Sequence, residues 1–216
     1  MSRGRFITFE GVDGAGKSTQ ARLLAERLRT SGRTVLLTRE PGGSPGAEAV
    51  RRLLLESPPG QWDSLSEALL FYAARRDHVE QVIRPALNRG DWVLCDRFAD
   101  SSHAYQGEAG GVTRAFLDEL DAAVLEGLKP DLTLILDVPV RAGLARVDKR
   151  RTGGRFEDRG AAFQERVRAA FRRLAQEEPA RCRLIDGTPS PEGVARAVWT
   201  EVAPLIERQT GLETPR

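Results

Sequence analysis

Phe6-Ile7-Thr8-Phe9-Glu10-Gly11-Val12-Asp13-Gly14-Ala15-Gly16-Lys17-Ser18 is the stretch that decides the fold of this chain. Its second half spells G-x-x-x-x-G-K-S, and the apolar run Phe6 to Phe9 before it has the character of a buried strand. Strand, glycine-rich loop and helix in that order are the context a phosphate-binding loop requires. Glycines allow backbone angles closed to other residues, so successive amide N–H groups can turn inward around phosphate oxygens. The spacing predicts a helix from about Lys17 to Thr30, whose positive end aims at the same place. Lys17 then reaches the β- and γ-phosphates, and the Ser18 hydroxyl takes one ligand position on Mg²⁺. The ligand class that follows is a nucleoside triphosphate.

Beyond the loop, apolar runs alternate with longer helical patterns: Phe6 to Phe9, Thr34 to Thr38, Trp92 to Cys95, Leu132 to Val138 and Arg183 to Ile185. Five strands separated by helices predict a parallel sheet covered on both faces, a three-layer α/β/α fold. Ala21, Leu24, Ala25 and Leu28 form one helical stripe, and Phe163, Val167, Ala170, Phe171 and Leu174 another. Ser64 with Glu67 reads as a capping box opening a long helix through Val79, with a break near Pro85 and a close at Gly90. The basic, glycine-containing stretch Lys149 to Glu157 interrupts this rhythm, and a lid over about 147–160 is expected there. No repeat divides the chain, and one domain over 1–216 is the expectation.

Composition narrows the class. The chain is 40% hydrophobic and 30% charged with both signs interleaved, as in an ordinary soluble enzyme. No run is long enough to span a membrane, and Met1 to Phe6 leads straight into a strand without a signal-peptide pattern, so a cytoplasmic protein is expected. A net charge of +2, dispersed along the chain, gives no argument for nucleic acid as a partner. Cys95 and Cys182, the only cysteines, fall in strand-like segments and read as reduced core thiols rather than a disulfide or a zinc pair. Lys17, Lys129 and Lys149 are the only lysines, so an individual arginine needs positional evidence before it counts as functional.

Two further constellations carry chemistry. Asp96-Arg97 follows the strand Trp92 to Cys95, which brings both side chains to the carboxyl edge of the sheet, where ligands of open α/β folds sit. An acid there holds Mg²⁺ or its waters, and the guanidinium fork suits a phosphate. Phe71 and Arg75 stand four residues apart on one helix face, a ring beside a fork that fits a flat heterocycle with a carbonyl edge.

Thr38-Arg39-Glu40-Pro41-Gly42-Gly43, Phe71-Tyr72-Ala73-Ala74-Arg75-Arg76 and Asp96-Arg97-Phe98-Ala99-Asp100-Ser101-Ser102-His103-Ala104-Tyr105-Gln106 closely resemble the signature segments of thymidylate kinases, in matching order and spacing over nearly the whole chain. The resemblance implies a phosphate-loop fold of the nucleoside monophosphate kinase type and transfer of the ATP γ-phosphoryl group to dTMP, giving dTDP and ADP. It implies ATP binding along Gly11, Val12, Asp13, Gly14, Ala15, Gly16, Lys17, Ser18 and Thr19, with Arg146 near the adenine end. Phe71 would stack on thymine, and Arg75, Ser102 and Gln106 would bond around the base. Arg51 and Arg97 would hold the acceptor phosphate, and Tyr105 would lie near C2′ of the sugar. Asp13, Glu40 and Pro41 would lie along the acceptor, with the first two near the sugar and the metal waters; Mg²⁺ would take Ser18 and Asp96. The loop lacks the arginine some relatives carry in it, so the missing cations are expected on the lid, at Arg150 and Arg155, beside Lys17, Arg97 and Asp13 in the catalytic set. A homodimer is the oligomeric state of the relatives and is expected here.

Three rival readings are weaker. A nucleoside kinase does not account for the base pocket or the Asp-Arg-x-x-x-Ser-Ser segment. A GTPase needs an Asn-Lys-x-Asp segment, whereas Asn88 is followed by Arg89. A DNA-associated ATPase needs a concentrated basic stripe, which this sequence does not show. His78 and His103 receive no role from the sequence.

Overall fold

The computed structural model describes residues 3–58, 60–148 and 160–210. Its elements run β1 (Phe6–Glu10), α1 (Lys17–Thr30), β2 (Val35–Arg39), α2 (Pro45–Glu56), α3 (Ser64–His78), α4 (Arg84–Asn88), β3 (Trp92–Asp96), α5 (Ala99–Ser102), α6 (Arg114–Leu125), β4 (Leu132–Asp137), α7 (Val140–Asp148), α8 (Ala161–Glu177), β5 (Cys182–Asp186) and α9 (Pro191–Thr210). The strands form one five-stranded sheet in the order β2-β3-β1-β4-β5, and every pairing is parallel. All strands therefore end at one edge. The order reverses at β1, so a crevice opens beyond its carboxyl end between β3 and β4.

Alternation along the strands sends side chains into two apolar layers. Phe6, Val93 and Cys95 pack with Val79, Ile83 and Leu87. Ile7, Phe9, Trp92 and Leu94 pack on the other side with Leu24, Leu28 and Val198. The predicted stripes of α1 and α8 are the faces these helices bury in that second layer. Cys95 and Cys182 are buried free thiols. Burial pushes the Cys182 thiol up to about 12 and the Cys95 thiol well above its ordinary range, so neither is a thiolate nucleophile at neutral pH.

Two local expectations are corrected. Helix α3 does open at Ser64, but its cap is Asp63, whose carboxylate accepts the Ser66 N–H at 2.7 Å. Glu67 turns inward instead and accepts from Gln106 Nε2 at 3.3 Å. The break also lies earlier than Pro85. Val79–Ile83 is a wide π-helical turn in which the Arg84 N–H reaches back to the Val79 carbonyl, and Pro85 sits in the first turn of α4, where its missing N–H is not needed. A second π-helical turn, His103–Glu108, begins inside the Asp96 to Gln106 segment and runs past its end.

Candidate active site

The crevice is built around the loop between β1 and α1. Gly11 adopts φ +133°, and a Cβ there would meet the Leu136 carbonyl oxygen of β4 at 2.4 Å, so the loop can leave β1 in this direction only with glycine. Lys17 is buried and folds back across the loop, Nζ donating to the Gly11 carbonyl at 3.1 Å and the Val12 carbonyl at 2.9 Å. Burial first, and then the Arg97 charge, lower its pKa to about 8. Ser18, one residue on, donates its hydroxyl to Asp96 Oδ2 at the end of β3.

Arg97 is the hub. Its backbone takes φ +71°, unusual for a residue with a side chain, and its N–H is held by the Phe9 carbonyl at 2.9 Å. That turn sends the guanidinium over the loop, where Nη1 donates to Gly11 O at 3.2 Å and Ser101 Oγ at 3.1 Å. Nη2 donates to Asp13 Oδ1 and to Tyr105 Oη, the latter at 3.0 Å. The other Asp13 oxygen accepts Gln164 Nε2 from α8 at 3.0 Å. Burial works against the Asp13 charge, yet Arg97 and then Lys17 outweigh it and hold the carboxyl below its usual range.

A second cluster lies beyond β2 and β3. The buried Arg75 donates Nε to Glu40 Oε2 at 2.8 Å, both Nη atoms to Ser102 Oγ at 3.1 Å, and Nη2 to the Phe98 carbonyl at 3.1 Å. Phe71 lies half-buried one turn before it on α3. Arg51 of α2 donates Nη1 to the Pro41 carbonyl at 2.6 Å, and burial followed by the neighbouring Arg39 charge lowers its pKa. Arg146 of α7 grips the loop from behind, its guanidinium donating to Gly14 O at 3.4 Å and to Gly187 O at 3.3 and 3.4 Å.

Ser101-Ser102 join the Arg97 cluster to the Arg75 cluster at the carboxyl edge of the sheet. Among the segments it brings there are the phosphate loop, the Glu40-Pro41 turn, one face of α3 and the π-helical turn carrying Tyr105 and Gln106. The lid cations Arg150 and Arg155 lie outside the described residues.

The family profile described as Thymidylate kinase matches residues 9–198. The chain belongs to the thymidylate kinase family. A thymidylate kinase of Caulobacter vibrioides is 52% identical over 198 residues, covering 92% of this chain and 95% of its own length. One from Ruegeria pomeroyi is 55% identical over 207 residues, covering 95% and 97%. Among solved structures, the thymidylate kinase from Ehrlichia chaffeensis matches with a TM-score of 0.77 at 38% identity, covering 93% of this chain and 99% of its own.

Four residues packed against these clusters receive no role from the sequence: Glu10, Thr38, His78 and Gln164. Glu10 is fully buried, accepts the Phe98 N–H at 2.7 Å and the Ser101 hydroxyl at 2.6 Å, and so fixes the chain on the far side of the Arg97 turn. The sequence signal for it is an acid closing a mostly apolar strand. Burial, and next the Asp100 charge, push its carboxyl from 4.5 up to about 7, against the pull of Arg97, Ser101 and the Phe98 N–H. The folded state therefore holds a proton that the unfolded chain has released. The resulting stabilisation is fully present below about pH 4.5 and is lost as pH rises to about 7. Glu10→Gln keeps the acceptor and the shape without the titration, so the Tm of the native protein should fall relative to the variant by roughly 3–8 °C between about pH 4.5 and 7. Parallel Tm-versus-pH curves from calorimetry would refute this.

Proposed function

We propose that this chain transfers the γ-phosphoryl group of ATP to dTMP, giving dTDP and ADP, and that the two clusters described above divide the work. The observation that carries the reading is their junction: the Lys17–Asp13–Arg97 group over the phosphate loop and the Glu40–Arg75–Ser102 group meet through Ser101-Ser102 at a single sheet edge.

Glycines 11, 14 and 16 with the first turn of α1 cradle the ATP phosphates, Val12, Ala15 and Thr19 complete that loop, and Arg146 braces it on the adenine side. Phe71 stacks on thymine, Arg75, Ser102 and Gln106 read its polar edge, and Tyr105 faces the sugar. Arg51 and Arg97 take the acceptor phosphate, with Glu40, Pro41 and Asp13 shaping the acceptor path. The Ser18 hydroxyl and the Asp96 carboxylate, already in contact, are the hard oxygen donors that Mg²⁺ prefers. Bound there, the ion would supply neutralisation of phosphate charge.

The acceptor is itself a phosphate whose second pKa is about 6, so at neutral pH its oxygen needs no general base. The difficulty is the approach of two polyanions, and this chain meets it with cations and aimed N–H donors placed where charge accumulates. In this reading the domain spans 1–216, and a lid over 147–160 closes on the reacting phosphates with Arg150 and Arg155. The enzyme works in the cytoplasm. Among the described residues no helix is long and apolar enough to cross a membrane. Leu53 of α2 and Leu65 and Leu69 of α3 are 44–48% exposed, and we assign this apolar patch to a second copy of the chain in a homodimer.

The test is ADP release from Mg²⁺-ATP across a panel of nucleoside monophosphates, with dTDP identified by chromatography. dTMP should be the preferred acceptor. Because the thymine methyl is a single apolar group, dUMP should lose only about 10- to 200-fold in kcat/KM. ATP turnover without dTDP would refute the function, and equal rates with dUMP would refute the Phe71 pocket.

A further inference from the structure

Helix α3 ends on a histidine that is completely buried and touches no part of the phosphate loop. His78 Nδ1 lies 3.1 Å from Glu40 Oε1, and its Nε2 lies 2.8 Å from Thr38 Oγ1. The second oxygen of Glu40 is the one that receives Arg75 Nε. A carboxylate only accepts, so His78 Nδ1 carries the proton and donates it toward Glu40. Glu40 is thereby held from both sides, by an imidazole at one oxygen and a guanidinium at the other.

We infer that His78 is a positioning residue for the acceptor base: by fixing Glu40 it fixes the plane of Arg75, and so sets the affinity for dTMP without touching it. This rests on the acceptor site proposed above. The guanidinium geometry carries the step from Glu40 to the base. With Nε on Glu40, and Nη1 and Nη2 on Ser102 and Phe98, an Nη1 N–H remains to meet a ring carbonyl. Its direction is set by the Glu40 bond, since the fork is planar and rigid.

An independent observation points the same way. Gly43 has φ +91°, and a Cβ there would stand 2.4 Å from His78 Nε2 and 2.5 Å from Thr38 Oγ1. The second glycine of Glu40-Pro41-Gly42-Gly43 thus lets backbone close over the imidazole, so that the loop bearing Glu40 and the helix bearing Arg75 are clamped around His78. Asp77 adds to the clamp through Ser44 Oγ at 2.6 Å and the Ala47 N–H at 3.2 Å.

The experiment is steady-state kinetics of the full-length enzyme, varying dTMP and ATP separately, in His78→Leu, His78→Asn, Glu40→Gln and the Glu40→Gln/His78→Leu double variant. His78→Leu should raise KM for dTMP about 10- to 100-fold, with kcat and KM for ATP within about threefold of the native values. In His78→Asn an amide N–H stands where Nδ1–H stood. It should bring KM for dTMP down to about 3- to 10-fold above native, the remainder reflecting the lost Thr38 anchor, while its Tm stays as low as that of the leucine variant because Thr38 has lost its partner. The double variant should be no worse than Glu40→Gln alone, since both changes break the same link. Equal KM values for dTMP in the leucine and asparagine variants, parallel rises in both KM values, or additive losses in the double variant would each overturn the inference and leave a purely structural histidine. Should His78→Leu not fold, Thr38→Val frees the imidazole without touching Glu40. It should raise KM for dTMP about 3- to 10-fold, and no change would overturn the inference equally. A native enzyme that makes no dTDP would instead bring down the functional reading itself.

Discussion

Arg97→Ala should lower kcat/KM for dTMP by about two powers of ten or more, through loss of charge-assisted bonds to the acceptor phosphate. In the free protein this guanidinium is committed to Asp13, Ser101, Tyr105 and the Gly11 carbonyl. Its positive charge lowers the pKa of both Asp13 and Glu10, against the burial that raises them. Truncation therefore leaves two buried carboxyls without their cation and should also cost stability. Tm measured beside the kinetics separates the two effects. Arg97→Lys keeps the charge but not the fork, and should recover stability more than rate. A folded Arg97→Ala enzyme with native kinetics toward dTMP would exclude the phosphate clamp.

Lys17→Ala should lower kcat by about two to three powers of ten while dTMP affinity changes little, because the ammonium acts on the transferring group rather than on the acceptor. Its present bonds, to the carbonyls of Gly11 and Val12, hold it inside the concavity that the phosphates would fill. Lys17→Arg should not rescue: a planar fork does not fit a buried niche shaped around a point charge. Single-turnover measurements at saturating ATP would show the deficit in the chemical step. A kcat within about threefold of native would remove Lys17 from catalysis.

Much of this molecule is legible in one dimension because strands of a parallel sheet read as continuous apolar runs and the phosphate loop has rigid spacing. The five strands lie within about a residue of where their β-branched runs place them, and Phe71 and Arg75 share a face as helical spacing requires. What stays hidden depends on contacts between distant residues. His78 and Glu40 are separated by 38 positions, and Gln164 and Asp13 by 151, so no local pattern joins them. Glu67 holds the place of a capping residue in the sequence, since a carboxylate three places after Ser64 suits that role. Asp63, one place earlier, caps the helix instead and leaves Glu67 to the interior. The wide turns are equally silent, since a five-residue backbone bond leaves no periodic trace in composition.

The turn at His103–Glu108 has a consequence for how this enzyme can change over time. A π-helical turn holds one more residue than an α-helical one, so deleting a residue there would let ordinary winding resume. The helix beyond would keep its facing, but the residues inside the turn, Tyr105 and Gln106 among them, would be re-aimed. The length of the segment from Asp96 to Gln106 is thus under tighter constraint than the identity of its less buried members, such as His103. Insertions and deletions in it should be lost by selection even where substitutions drift.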